Sequence, residues 1–137
     1  MILRPALILG ALLAFSPLGA GEAANKANPG ENLEIASVLA KGHTTIVDFY
    51  SVYCPPCMKL STLLEQLGEK RPDLRIVKVD INRPGIKGID WGSPLAKQLS
   101  LKSIPHFKIF DGNGKLLAEG EAAFQQVMTM LQEKKLL

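Results

Sequence analysis

The stretch from Thr45 to Leu67 constrains the chain more than any other. Thr45-Ile46-Val47-Asp48-Phe49-Tyr50 is a near-continuous β-prone run, the pattern of a strand buried on both faces. Asp48 is out of place in such a run. Next come Cys54-Pro55-Pro56-Cys57 and then Met58, Leu60, Leu63, Leu64 and Leu67, apolar residues recurring at three and four, with Pro72 as the stop signal; this is the clearest helix in the sequence. Leu74 to Asp80 reads as a second strand. Reached by a helical crossover, it should lie parallel to the first in a βαβ unit.

The remaining segments complete that core. Leu33, Ala36, Leu39 and Ala40 predict a short helix, with Gly42 available to end it. Ile81 to Gly92 is loop-like, and Ser93-Pro94 opens a helix through about Leu99. Phe107 to Phe110 and Lys115 to Ala118, joined by Asp111-Gly112-Asn113-Gly114, predict an antiparallel hairpin. Phe124, Val127, Met128 and Leu131 mark a last helix within Glu121 to Leu137. The order α-β-α-β-α-β-β-α predicts an α/β fold, a mixed four-stranded sheet with helices on both faces.

At 137 residues the chain has room for one domain. Its first 20 residues are different in kind, with 14 of them apolar. Arg4, the apolar run Pro5 to Phe15 and the small residues after it give Met1 to Ala24 the form of a secretory signal. The run falls short of the roughly 20 apolar residues that span a bilayer. Gly21-Glu22-Ala23 fits the A-x-A cleavage spacing, Leu18-Gly19-Ala20 less well, and no cysteine is placed for a lipoprotein. A retained anchor or a buried N-terminal helix is the competing reading. The expected organisation is therefore a signal peptide or membrane anchor over residues 1–24, a polar leader over 25–32 and a folded domain over 33–137. Lys and Arg number 16 against 13 Asp and Glu, scattered without a basic stripe; this argues against a nucleic-acid partner.

Two cysteines rule out a multi-disulfide scaffold. Cys54 falls where a strand turns into a helix, and unpaired amides at a helix N-terminus favour an anion. A thiolate is an anion, so its pKa should fall from the usual value of about 8.5. Pro55 and Pro56 cost the helix little in its first turn. A purely structural disulfide is the bland alternative, but a loop this short removes little unfolded-state entropy.

With these residues the chain resembles the thioredoxin family. Asp48 to Tyr50 leading to Cys54-Pro55-Pro56-Cys57 is similar to that family's strand and C-x-x-C motif, and Ile104-Pro105 to its cis-proline loop before the hairpin. The resemblance runs over roughly Leu33 to Leu137. It implies a redox-active Cys54/Cys57 pair, with Cys54 the exposed nucleophile and Cys57 the more buried resolving thiol. Asp48 would be the family's buried carboxylate, its pKa raised by desolvation so that it takes up a proton, through water, as Cys57 is deprotonated. Lys78 would be the lysine partner of that acid, within a register ambiguous by two residues. Tyr53, Pro55, Pro56, Ile104 and Pro105 would form the client-binding surface, with Pro105 in cis placing the Ile104 backbone beside the sulfurs.

The resemblance further implies a monomeric protein-disulfide reductase with no bound cofactor and no metal, acting on protein thiols and disulfides. Exported to the periplasm or tethered facing it, such a protein needs a membrane thiol-disulfide electron donor. Pro56 stands where a histidine would make the pair oxidising, which favours a reducing role; an oxidase or isomerase is the variant reading. Tyr53 replaces the family's usual tryptophan before the first cysteine. Trp91, in the long Asn82 to Gly92 loop, marks a candidate client-selecting segment. The alternative of another class is a copper-binding carrier built from Cys54, Cys57, His43 and His106. It lacks the paired histidine spacing of zinc sites and the wider cysteine spacing usual in copper modules.

Overall fold

The computed structural model describes residues 21–137. The expected signal or anchor lies, through residue 20, outside the described residues. Four strands, β1 (Thr44–Tyr50), β2 (Leu74–Asp80), β3 (His106–Phe110) and β4 (Leu116–Glu119), and three helices, α1 (Pro55–Lys70), α2 (Pro94–Gln98) and α3 (Gly120–Glu133), follow a 3₁₀ turn at Ile35–Val38. The sheet order is β2-β1-β3-β4. β1 runs parallel to β2 and antiparallel to β3, and β3 is antiparallel to β4. This is the α/β mixed sheet expected from the sequence.

β1 is central because six of its seven residues are buried. Its side chains alternate between two cores. Ile46 points into one formed with Leu64 and Leu67 of α1, Phe107 of β3 and Val127 and Leu131 of α3. Val47 and Phe49 point into the other, with Val79, Ile81 and Leu95. Burying a side chain of this size contributes about 1.5–3 kcal/mol. By the same alternation Asp48 lies on the Ile46 side, towards α1.

Two expectations need correcting. The helix expected over Leu33 to Ala40 shrinks to the four-residue 3₁₀ turn. Leu33, Ile35 and Leu39 are the residues that pack on the core, and the Ala40 N–H goes to Thr45 Oγ1 at 3.1 Å instead of continuing a helix.

The expected leader, 25–32, is docked onto the sheet. Ala23 forms a parallel bridge with Lys78 on the outer edge of β2, and the Ala24 N–H donates to the Lys78 carbonyl at 2.8 Å. Buried Asn25 donates to the Asp80 carbonyl at 2.8 Å and accepts the Asp80 N–H at 3.0 Å. Gly30 donates to the same carbonyl and accepts from Leu95. Its φ of +78° and the 2.5 Å that would separate a Cβ from the Arg83 nitrogen leave room only for glycine. Polar groups on this segment replace water on the edge of β2, so its polarity marks docking by hydrogen bonds.

Candidate active site

The N-terminus of α1 is built from what its prolines lack. Cys54 is the N-cap residue, and Pro55 and Pro56 occupy the next two positions without an N–H to offer. The first free amide is therefore that of Cys57, which donates to Cys54 Sγ at 3.3 Å. The same amide would stabilise a Cys54 thiolate once the bond is reduced. The turn before it is held by the Cys54 N–H on the Ser51 carbonyl at 3.1 Å and the Tyr53 N–H on Ser51 Oγ at 3.2 Å.

Cys54 and Cys57 form a disulfide with their Cα atoms 5.2 Å apart. Cys57 has no exposed surface, and Cys54 keeps 5 % of its own. Cys57 is the more buried of the two, as expected, but Cys54 is far less open than an exposed nucleophile: the pair clusters with Tyr50, and Ala23, Ile89 and Ile104 pack against that cluster. The Ile104-Pro105 peptide is cis, and the Ile104 carbonyl oxygen lies 3.9 Å from Cys54 Sγ. Tyr53, Pro55 and Pro56 are exposed around the sulfurs, as are Val52 and Met58; Ile104 and Pro105 are partly buried.

Ile89 belongs to the loop after β2, which is fastened by Arg83 on Asp90 and by Asn82 on the carbonyls of Ile86 and Gly88. Trp91, two residues on, remains exposed. The sequence singled out the loop but missed Ile89, which packs on the cluster of Tyr50, Cys54 and Cys57.

Asp48 has no exposed surface. Desolvation pushes its pKa up to about 6, against the opposing pull of a hydrogen bond from Ser61 and the charge of Lys78, while Glu65 pushes it up. Ser61 Oγ donates to Oδ2 at 2.6 Å. Oδ1 has no hydrogen-bond partner among the described residues.

Lys78 is paired with Asp48 in the register of β1 and β2. The ammonium makes no direct bond to Asp48. It lies 3.6 Å from Glu65 Oε1, 3.4 Å from the Gly21 carbonyl oxygen and 4.7 Å from the centre of the Tyr50 ring. Burial first, then Asp80 and Asp48, push the Tyr50 hydroxyl up to about 12.

Ser61 and Glu65 are the residues that sequence reasoning missed. The signal for Ser61 was present: it lies four residues after Cys57, a polar side chain inside the apolar stripe of α1. The copper alternative finds no support in the geometry. Among the described residues no group of three or more His, Cys, Asp or Glu could hold a metal ion. His43 is partly buried, its Nδ1 3.4 Å from the Lys41 carbonyl oxygen, and His106 packs on the Phe49 ring, its pKa lowered by burial first and then by Lys108.

Taken together, the mixed sheet, the disulfide at the helix N-terminus and the cis-proline loop facing it define a thioredoxin-fold protein with a C-x-x-C redox centre. The Thioredoxin family model matches residues 31–133, and the chain belongs to the thioredoxin family. It is 34 % identical over 74 residues to the chloroplastic thioredoxin F-type of Mesembryanthemum crystallinum, a match covering 54 % of this chain and 35 % of that protein. It is 29 % identical over 83 residues to the thioredoxin of Mycoplasmoides gallisepticum, covering 61 % of this chain and 74 % of that one. The chain thus spans about a third to a half of the chloroplastic relatives. A solved structure concerned with thiol resolution in a yeast mitochondrial 1-Cys peroxiredoxin via glutathione/thioredoxin systems shares the fold, with a TM-score of 0.50 and 23 % identity. That match covers 72 % of this chain and 90 % of the other.

Proposed function

We propose that the chain is a protein-disulfide oxidoreductase that reduces client disulfides. One observation carries this: the Cys54–Cys57 disulfide caps a helix whose first free amide is aimed at Cys54, and the second sulfur is wholly buried. An attacking thiolate and a protected resolving thiol are thereby given different environments.

In the reduced protein the Cys54 thiolate attacks one sulfur of a client disulfide, and the other client sulfur leaves as a thiolate and takes a proton from water. Cys57 then loses its proton to Asp48 and attacks Cys54 Sγ. The mixed disulfide breaks, the second client thiolate leaves and is protonated, and the Cys54–Cys57 disulfide closes. Two electrons have passed to the client. Asp48 releases its proton to solvent before the next cycle, and a dithiol donor must return the two electrons.

The exposed rim of Val52, Tyr53 and Met58, with the Ile104 carbonyl beside Cys54, supports binding of an extended client segment. Pro56, without a charge to hold the thiolate open, supports the reducing direction, with a potential between about −270 and −150 mV. Export, with a membrane thiol-disulfide donor, is the reading that the apolar run Pro5 to Phe15 and Arg4 support; cell fractionation tests it. The protein is expected to work as a monomer.

The deciding experiment pairs insulin reduction in the presence of dithiothreitol with trapping by Cys57→Ser. Turnover by the native protein and clients held covalently on Cys54 of the variant are expected. No turnover and an empty trap would reject the assignment.

A further inference from the structure

We propose that Ser61 is a positioning residue that keeps the Asp48 carboxylate charged and ready to accept a proton, one helical turn from Cys57. The inference deepens the functional reading above and rests on it. Ser61 is four residues beyond Cys57 on α1 and almost wholly buried. Its hydroxyl has one hydrogen to donate, and a helical hydroxyl usually gives it to the carbonyl four residues back. Thr62 and Thr129 do this, donating to the carbonyls of Met58 and Gln125. Ser61 turns instead to Asp48 Oδ2 at 2.6 Å.

That bond is the one hydrogen bond the Asp48 carboxylate receives among the described residues, since Oδ1 is unpartnered. Lys78 acts only through space, its ammonium being held between Glu65, the Gly21 carbonyl and the Tyr50 ring. Charged and titratable groups act on Asp48 from three elements, Lys78 from β2, Tyr50 from β1 and Glu65 from α1, while β3 sets the apolar Phe107 opposite it. Of these, Lys78 favours the carboxylate, Glu65 opposes it, and Tyr50 stays neutral below about pH 12. Among the described residues Ser61 alone stabilises the charged form by direct contact. With one oxygen bonded and the other free, the carboxylate is anchored yet retains an oxygen able to take a proton.

The test follows the ¹³C carboxyl signal of Asp48 across pH 4 to 9 in the purified oxidised protein, with Asp48→Asn assigning the signal. Native protein should titrate near 6. In Ser61→Ala the midpoint should rise by about 1 to 2 on the pH scale, the size expected for a lost bond to a charged acceptor. Ser61→Thr, which keeps a hydroxyl, should fall between the two. Turnover of Ser61→Ala at pH 7 should drop about 2- to 10-fold and recover near pH 9, because a smaller fraction of Asp48 is then charged at neutrality.

A Ser61→Ala midpoint within about 0.3 of native, in a protein with native circular dichroism, would overturn the proposal. So would a Thr variant displaced as far as Ala. A native protein inactive on insulin whose Asp48 midpoint still follows Ser61 would fail the functional reading and uphold the role of Ser61.

Discussion

Asp48 and Asp90 are both buried, with 0 % and 4 % of their surface exposed, and the fold treats them in opposite ways. Asp90 receives Arg83 Nε at 2.8 Å, Nη2 at 3.0 Å and the Arg83 backbone N–H at 3.1 Å. The Arg83 guanidinium in particular holds its carboxyl below the usual range. Among the described residues Asp48 receives one hydroxyl and has one oxygen unpartnered, and burial pushes it to about 6. The difference teaches that burial alone does not define a carboxylate's part in a protein. A carboxylate whose lone pairs are filled fastens a loop; one left half-filled keeps the capacity to bind a proton.

The largest expected effect comes from removing the half-filled acid. Asp48→Asn should lower insulin turnover at pH 7 by about 10²-fold, the scale of a lost general base. It should also stabilise the protein. With a folded pKa near 6 against 3.8 unfolded, the native state binds the proton more tightly. The contribution of Asp48 to stability is therefore greatest below pH 4, falls as pH rises to 6 and stays low above it. The difference amounts to as much as ~3 kcal/mol at pH 7. Urea unfolding at pH 4 and pH 7 checks this, and a variant that is less stable at pH 7, or whose stability keeps the native slope, would erase the contrast with Asp90.

Asp90→Asn should do the reverse. Asparagine cannot accept the paired guanidinium bonds and the Arg83 N–H together, so the thermal midpoint should fall by about 5–10 °C. The pH profile of turnover should keep its native midpoint, since Asp90 takes no part in the proton's path. A displaced profile would show that the loop reaches the chemistry as more than a frame for Ile89 and Trp91.

How much of this the sequence disclosed depends on the kind of signal. β1, α1, β2 and the hairpin were legible because apolar periodicity records burial directly. Asp48 was legible as a charge inside an apolar run. Ser61 was not, because a small polar residue in a helical stripe looks like a tolerated gap until a partner stands opposite it. Lys78 was half-legible: a period of two in β2 leaves the register open, and the pairing of Asp48 with Lys78 comes from the assembled sheet. The docking of residues 23–30 left no periodic trace, since Asn25, Ala24 and Gly30 hold it through hydrogen bonds.

The smallest effect tests whether charge at a distance can stand in for contact. Lys78→Met removes the ammonium that favours the charged form of Asp48 and leaves Glu65 unneutralised, and both changes push the Asp48 midpoint up. Because the ammonium never touches the carboxylate, the rise should be less than about 1 on the pH scale and smaller than that of Ser61→Ala. Glu65→Gln should move the midpoint down, as its charge opposes the carboxylate. The comparison with Asp90 sharpens if the ranking Ser61 over Lys78 holds in the carboxyl titration. If Lys78→Met proves the larger, Asp48 is governed by an ion pair after all, and the two aspartates differ in distance to their cation rather than in how their lone pairs are filled.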